Sequence, residues 1–179
     1  MPAPYKKLLT YWYTFIIHDL TYSFCERYIR SFKLKDQMVG AARSAKQNIV
    51  EGSESLRTSL KTCIKLTNVA RASNEELMAD YEDFLRQNEF SIWPKDDKRI
   101  NYFRDFSYKF VCDICNICNI PRKLHLPQDK EKAANLLLTL CHQASFLLLK
   151  QVKSLEEKHE KEGGYTEKLY QRRTKYRGY

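Results

Sequence analysis

Gln37-Met-Val-Gly-Ala-Ala-Arg-Ser-Ala-Lys-Gln-Asn-Ile-Val-Glu-Gly52 decides the fold, because it carries two stripes at helical spacing where an ordinary surface helix carries one. Met38, Ala42, Ala45 and Ile49 recur three and four residues apart and form an apolar face. Gln37, Ala41, Ser44, Asn48 and Glu51 form an adjacent row of small or hydrogen-bonding residues. A solvent face would be dominated by Lys and Glu. Small side chains instead admit a neighbouring helix at close range, and amides and carboxylates in such a seam need specific partners. The stretch therefore predicts a helix in contact with others along both stripes. Two readings of the polar seam Gln37, Ser44, Asn48 and Glu51 stand. It fixes register by bonding to the next helix or to a neighbouring subunit, or it lines an axial or surface groove.

Working outward, residues 5–30 read as a first helix, with Leu8, Trp12, Phe15, Ile16, Leu20, Phe24 and Tyr28 on a broad apolar face. Residues 34–53 form the second helix, with Gly52 as a stop near its end. A third begins after Ser55 or Thr58 and continues through Leu60, Ile64, Thr67, Ala70, Asn74, Leu77, Tyr81 and Phe84, close to a coiled-coil seam. Residues 88–93 break the pattern. Pro94 is suited to the first turn of a fourth helix, where its missing N–H costs nothing, and Ile100, Phe103, Phe106, Phe110, Ile114 and Ile117 carry that helix to about Cys118. The expected fold is all-α: an antiparallel up-and-down four-helix bundle over residues 1–118, then a C-terminal helical extension. Pro121 and Pro127 mark 119–128 as a linker. Asp129 can cap a fifth helix whose face includes Ala133, Leu137, Leu140, Ala144, Leu147, Leu148, Gln151 and Leu155, packed on the bundle or on another subunit. Gly163-Gly164 ends that helix, and a basic, tyrosine-bearing tail completes a suffix over 129–179.

Composition narrows the class further. A chain of 179 residues, 43% hydrophobic and 30% charged, fits one sizeable folded core better than disorder or two large domains. The formal charge of +9 is uneven. Residues 1–118 hold 18 Lys/Arg against 15 Asp/Glu, whereas residues 119–179 hold 13 against 7. The basic C-terminal third favours an acidic partner such as nucleic acid, an anionic membrane surface or an acidic protein. Lys6 and Lys7 precede an apolar run that Tyr11, Tyr13, Thr14, His18 and Asp19 interrupt, so no secretory leader is read. Residues 133–152 include Asn135, His142, Gln143, Ser145 and Lys150, which argues for a buried helix over a membrane span. The six cysteines then belong to a reducing cytoplasm rather than to a disulfide framework.

These residues carry a resemblance. Gln37, Ala41, Ala42, Ser44 and the Asn48-Ile49-Val50-Glu51-Gly52 block, followed by Ala70-Arg71-Ala72-Ser73 and Glu76-Leu77, resemble the four-helix-bundle proteins encoded in intervening sequences of bacterial 23S ribosomal RNA genes. Ala72 stands where that family carries glycine. Ala134-Asn135, Cys141-His142-Gln143-Ala144, Leu147-Leu148, Gln151, Leu155-Glu156, Gly163-Gly164 and Glu167 resemble the suffix domain attached to a subset of those bundles. The resemblance implies a bacterial protein, a ring-like homo-oligomer with five subunits as the usual arrangement, and no enzymatic activity. A related branch includes the accessory variability protein of diversity-generating retroelements, a basic barrel-shaped oligomer that binds nucleic acid and a reverse transcriptase.

No motif for catalysis emerges from the residues themselves. Cys112-x2-Cys115-x2-Cys118 has thiolate spacing suited to an iron–sulfur cluster, but Asn119-Ile120-Pro121 stands where the fourth cysteine and proline would follow. Cys141, His125 or His142 can complete a zinc site without any spacing that selects one of them, and buried thiols packed as small hydrophobes are the plainer reading. No cofactor is expected. Cys25 or Cys141 with a distant histidine lacks a thiol-enzyme signature, and Glu75, Glu76, Glu82 and Asp83 read as a solvated helix face.

The sequence therefore points to a non-enzymatic, oligomeric bundle that binds RNA or DNA electrostatically. Arg43, Lys46, Arg57, Lys61, Arg172, Arg173, Lys175 and Arg177 are its phosphate ligands, and Tyr170 and Tyr176 its stacking platforms. The competing reading is a protein-interaction scaffold whose suffix helix docks a protein through Leu137, Leu140 and Leu148.

Overall fold

The computed structural model describes residues 3–56, 58–117 and 124–178. A 3-10 turn at Pro4–Lys7 precedes six helices: α1 Leu9–Tyr28, α2 Phe32–Ser55, α3 Leu60–Gln87, α4 Lys98–Ile117, α5 Lys130–Glu162 and α6 Tyr165–Arg177. No strand occurs among the described residues. Side-chain caps set several starts. Ser31 Oγ accepts the Leu34 N–H at 3.3 Å, Ser59 Oγ the Thr62 N–H at 3.2 Å, and Asp129 Oδ1 the Lys132 N–H at 2.7 Å.

The chain is an all-α antiparallel bundle with a C-terminal helical extension, and its four corners are α1, α2, α3 and α5. α2 packs most extensively on α3, α3 on α5, and α1 closes the ring against α2 and α5. Contacts near the helix ends fix the directions. Cys25 lies against Met38, Gly52 against Cys63 and Leu66, Leu60 shares a cleft with Lys158 and Glu162, and Thr10 Oγ1 donates to Gln151 Oε1 at 2.7 Å while Tyr28 reaches the Gln128 carbonyl, so each neighbouring pair is antiparallel. α4, expected to be the fourth helix of a bundle over 1–118, lies outside this ring against α5 and α1. The cause is legible in α5. Besides its expected face, Ala134, Asn135, Leu138, Thr139 and Cys141 are also buried, and a helix apolar on several sides is stabilised at a central corner. Leu137 and Leu148 are fully excluded from solvent, each worth roughly 1.5–3 kcal/mol of burial.

The segment expected as a linker contributes to the same core. Leu126 is buried, its carbonyl accepts from Arg27 Nη1 at 3.2 Å, and the Tyr28 hydroxyl donates to the Gln128 carbonyl at 2.6 Å. Leu137, Leu140 and Leu148 are thus consumed inside their own chain and offer no docking face to a partner. α5 contains a stretch long and apolar enough to cross a membrane by length and composition, and 56% of that stretch is buried within the protein.

α4 departs from its sequence reading in two further ways. It begins at Lys98 because Pro94 starts a turn closed by the Asp97 N–H to the Pro94 carbonyl at 2.9 Å. Its inward stripe is Ile100, Phe103, Ser107, Val111 and Ile114, which turns Phe106 and Ile117 outward at 57% and 70% exposure. Tyr102, Phe106 and Phe110 stack as a ladder along its outer side.

Candidate nucleic-acid interface

α6 begins where Gly163 reverses the chain. At φ +67° it occupies the left-handed region that favours glycine, and its N–H closes α5 on the His159 carbonyl at 2.9 Å. The Glu167 carboxylate then accepts the Gly164 N–H, half of a capping box, and Gly178 at φ +75° ends the helix. Between these stops lie five Lys/Arg and one Glu on 13 residues, a helix about 20 Å long by its rise per residue. It has no buried residue and packs extensively on no other helix among the described residues.

The helical repeat places Lys168, Arg172 and Lys175 in one row and Tyr170, Arg173 and Arg177 on the opposite side, with Tyr176 between Arg172 and Arg173, so α6 is basic on both sides. Tyr170 and Tyr176 are 72% and 93% exposed. Lys168 is spent on Glu162 at 2.8 Å, whereas Arg172, Arg173, Lys175 and Arg177 have no ion-pair partner among the described residues. Glu167 lies on the opposite side of the helix from Arg172. The α6 root borders a cleft of about 100 Å³ shared with Ser59, Leu60 and Lys158, which puts Lys61, exposed on the first turn of α3, at the same end of the bundle. Lys158 and Lys168 belong to this end and lie outside the predicted ligand set; Lys168 is one of the basic residues of the tail, four positions from Arg172, whereas Lys158 is brought in from α5 by the chain reversal at Gly163.

The other predicted ligands lie apart from this helix. Arg43 is exposed midway along α2. Lys46 is half-buried, with Nζ 3.2 Å from His18 Nδ1 and 5.5 Å from the Phe15 ring centroid. Burial lowers its pKa, with Arg43 adding to the effect against Asp19. Burial and then the Lys46 charge lower that of His18, against the raising effect of Asp19, whose Oδ1 lies 3.4 Å from the same Nδ1. Lys46 is engaged by its own chain and poorly placed for phosphate. Arg57 lies outside the described residues.

The polar seam separates in the same way. Ser44 Oγ meets Ser73 Oγ at 3.0 Å, and Asn48 Nδ2 donates to the Ser44 carbonyl at 2.9 Å and to Ser44 Oγ at 3.2 Å, which ties α2 to α3. Gln37 and Glu51 are exposed and take no part in that network. Gly52, read as a stop, is buried inside α2, where it allows close approach to Cys63 and Leu66 of α3.

The thiols offer little chemistry. Cys25 is buried against Met38, and burial pushes its thiol up to about 12; burial raises that of Cys141 also. Cys112 and Cys115 are half-buried on α4, Cys118 lies outside the described residues, and no group of three or more metal-ligating side chains forms among those described. The chain matches no known family model, no curated protein and no solved structure.

Proposed function

We propose that this protein is a non-enzymatic nucleic-acid-binding protein that engages RNA or DNA phosphates through α6. The observation that carries this reading is a helix with no buried residue that, among the described residues, packs extensively on no other helix and presents Arg172, Arg173, Lys175 and Arg177 without an ion-pair partner. A helix without an apolar stripe adds little to the core it is attached to. Arginine forks suit phosphate geometry, and the exposed Tyr170 and Tyr176 rings add sequence-tolerant stacking on unpaired bases. Arg43 and Lys61 extend the field along α2 and the α3 end. No groove-reading geometry is implied, so recognition is of backbone and unpaired bases, not of sequence.

The resemblance to the ribosomal intervening-sequence bundles supports a homo-oligomer, and self-association would gather several α6 helices on one particle. The test is fluorescence anisotropy of nuclease-treated protein with labelled RNA and DNA over a salt series. The triple variant Arg172→Gln, Arg173→Gln, Arg177→Gln should reduce the slope of log affinity against log salt by about 2 on single strands. An unchanged slope removes α6 as the interface.

A second reading, a protein-interaction scaffold, draws on the outward aromatic ladder of α4, with Tyr102 and Phe106 at 64% and 57% exposure. It requires partner binding that is insensitive to salt and weakened by Phe106→Ser.

A further inference from the structure

Between α4, α5 and the connection at 88–97 lies a cavity of about 570 Å³, within the range of small-molecule sites. Trp93 and Ile100 form one wall, Leu138 and Phe146 of α5 the other, and Ile92 stands at the mouth. The neutral polar groups around it all point back into the scaffold. Asn135 Nδ2 donates to the Ser91 carbonyl at 3.0 Å and the Glu131 carbonyl at 2.9 Å, while its Oδ1 accepts the Trp93 N–H at 2.9 Å. Gln143 Oε1 accepts from Ser107 Oγ at 2.8 Å and its Nε2 donates to the Arg104 carbonyl at 3.1 Å; Thr139 Oγ1 donates to the Asn135 carbonyl at 2.7 Å.

The charge that remains is positive. Lys95 and Arg104 line the cavity together with His142, and no carboxylate does among the described residues. None of the three has an ion-pair partner among the described residues. Arg104 Nη2 donates to the Lys95 carbonyl at 2.9 Å, which holds the guanidinium beside the Lys95 backbone at one rim. An apolar chamber with cations at one rim complements an anion that carries an apolar body. A stacked nucleobase does not fit. Arg99 covers one face of the Trp93 ring at 3.6 Å, Phe103 stacks on it with centroids 5.9 Å apart, and the indole N–H donates to Glu131 Oε1 at 2.7 Å, so only the carbon edge of the indole is left to border the cavity.

We propose that this cavity binds a small carboxylic acid with an aliphatic body, its carboxylate held by Lys95 and Arg104 and its chain packed between Trp93, Leu138 and Phe146. The site is separate from α6 and does not depend on the nucleic-acid reading.

The test titrates gel-filtered full-length protein with sodium octanoate and, in parallel, with 1-octanol, by calorimetry and tryptophan emission. Trp93 reports on the wall, while Trp12 is buried in the bundle with its indole N–H on the Lys6 carbonyl at 2.8 Å. Octanoate should bind saturably at one per chain, at least about tenfold tighter than octanol. Lys95→Gln, at an exposed position with no side-chain partner, should weaken octanoate roughly three- to tenfold and leave octanol unchanged. Phe146→Glu, a charge placed at the half-exposed end of the wall, should abolish octanoate binding with the unfolding midpoint retained. Equal binding of acid and alcohol, no saturable octanoate binding, or an unaltered affinity in Lys95→Gln overturns the proposal.

Discussion

Asn74 keys α3 to α5. It is fully buried, and its amide nitrogen donates to the Cys141 carbonyl at 2.9 Å and to Ser145 Oγ at 2.8 Å, while its own oxygen is buried without a partner among the described residues. A group that costs desolvation on one side and bonds on the other specifies register more than it adds stability. Asn74→Ala should still destabilise by about 1–3 kcal/mol, because the bonded half is lost along with packing, and urea unfolding at constant m-value is the measurement. His18 supplies the pH dependence at this scale. Its folded pKa lies below the ordinary value, first by burial and then by Lys46, so the unfolded state binds more protons. Stability is therefore full above the unfolded histidine value of about 6.5 and declines as the pH falls toward the depressed folded value. His18→Gln, which keeps an acceptor for Lys46, should flatten that decline in urea unfolding between pH 7.5 and 5.5. An identical decline in the variant would assign it to another group.

At the scale of elements, the question is which helix completes the bundle. α4 and α5 both carry apolar repeats, and periodicity alone cannot rank them. The distinguishing residues are Ala134, Leu138, Thr139 and Cys141, which make α5 apolar beyond one stripe and suit it to a corner enclosed by α1, α3 and α4. Residues 1–128 alone should fail to fold cooperatively, since removing α5 uncovers Tyr81, Leu77 and the Asn74 amide together; the readouts are near-UV dichroism and the urea transition. A cooperative transition in that fragment would restore the bundle over 1–118. α1, α2, α3 and the Asp129 cap of α5 were legible because their apolar spacing and caps are local. The outward turn of Phe106 was not, because Ile100 and Phe103 are compatible with either Phe106 or Ser107 as the next inward position, and Gln143 of α5 decides it by accepting from Ser107. α6 has no apolar repeat to read; its only local signals were Gly163-Gly164 and Glu167 at the third helical position. Of the candidate site, the tail arginines and tyrosines were legible as composition, whereas the engagement of Lys46 by His18 and Phe15 depends on contacts between α1 and α2 that no local pattern encodes.

For the whole molecule, the charge of +9 is divided between α6, with five Lys/Arg against one Glu on 13 residues, and a far longer remainder that carries the other +5. That division makes stability and nucleic-acid binding separable properties. Deleting residues 165–179 removes no buried residue of the described core, so the unfolding free energy should change by less than about 0.5 kcal/mol, as for surface changes away from packed groups. Affinity for single-stranded RNA should fall steeply in the same protein, because the densest run of cations is removed and Lys46 and Lys35 of the remaining surface are engaged by His18 and Glu26. Light scattering sharpens the test. If subunits associate through the bundle, the deletion variant keeps the mass of the intact particle, and the lost affinity exceeds what one helix supplies because several copies of α6 leave one assembly at once. A variant that loses mass and affinity together would place α6 in the subunit contact, and its exposed arginines would then be interface residues before they are phosphate ligands.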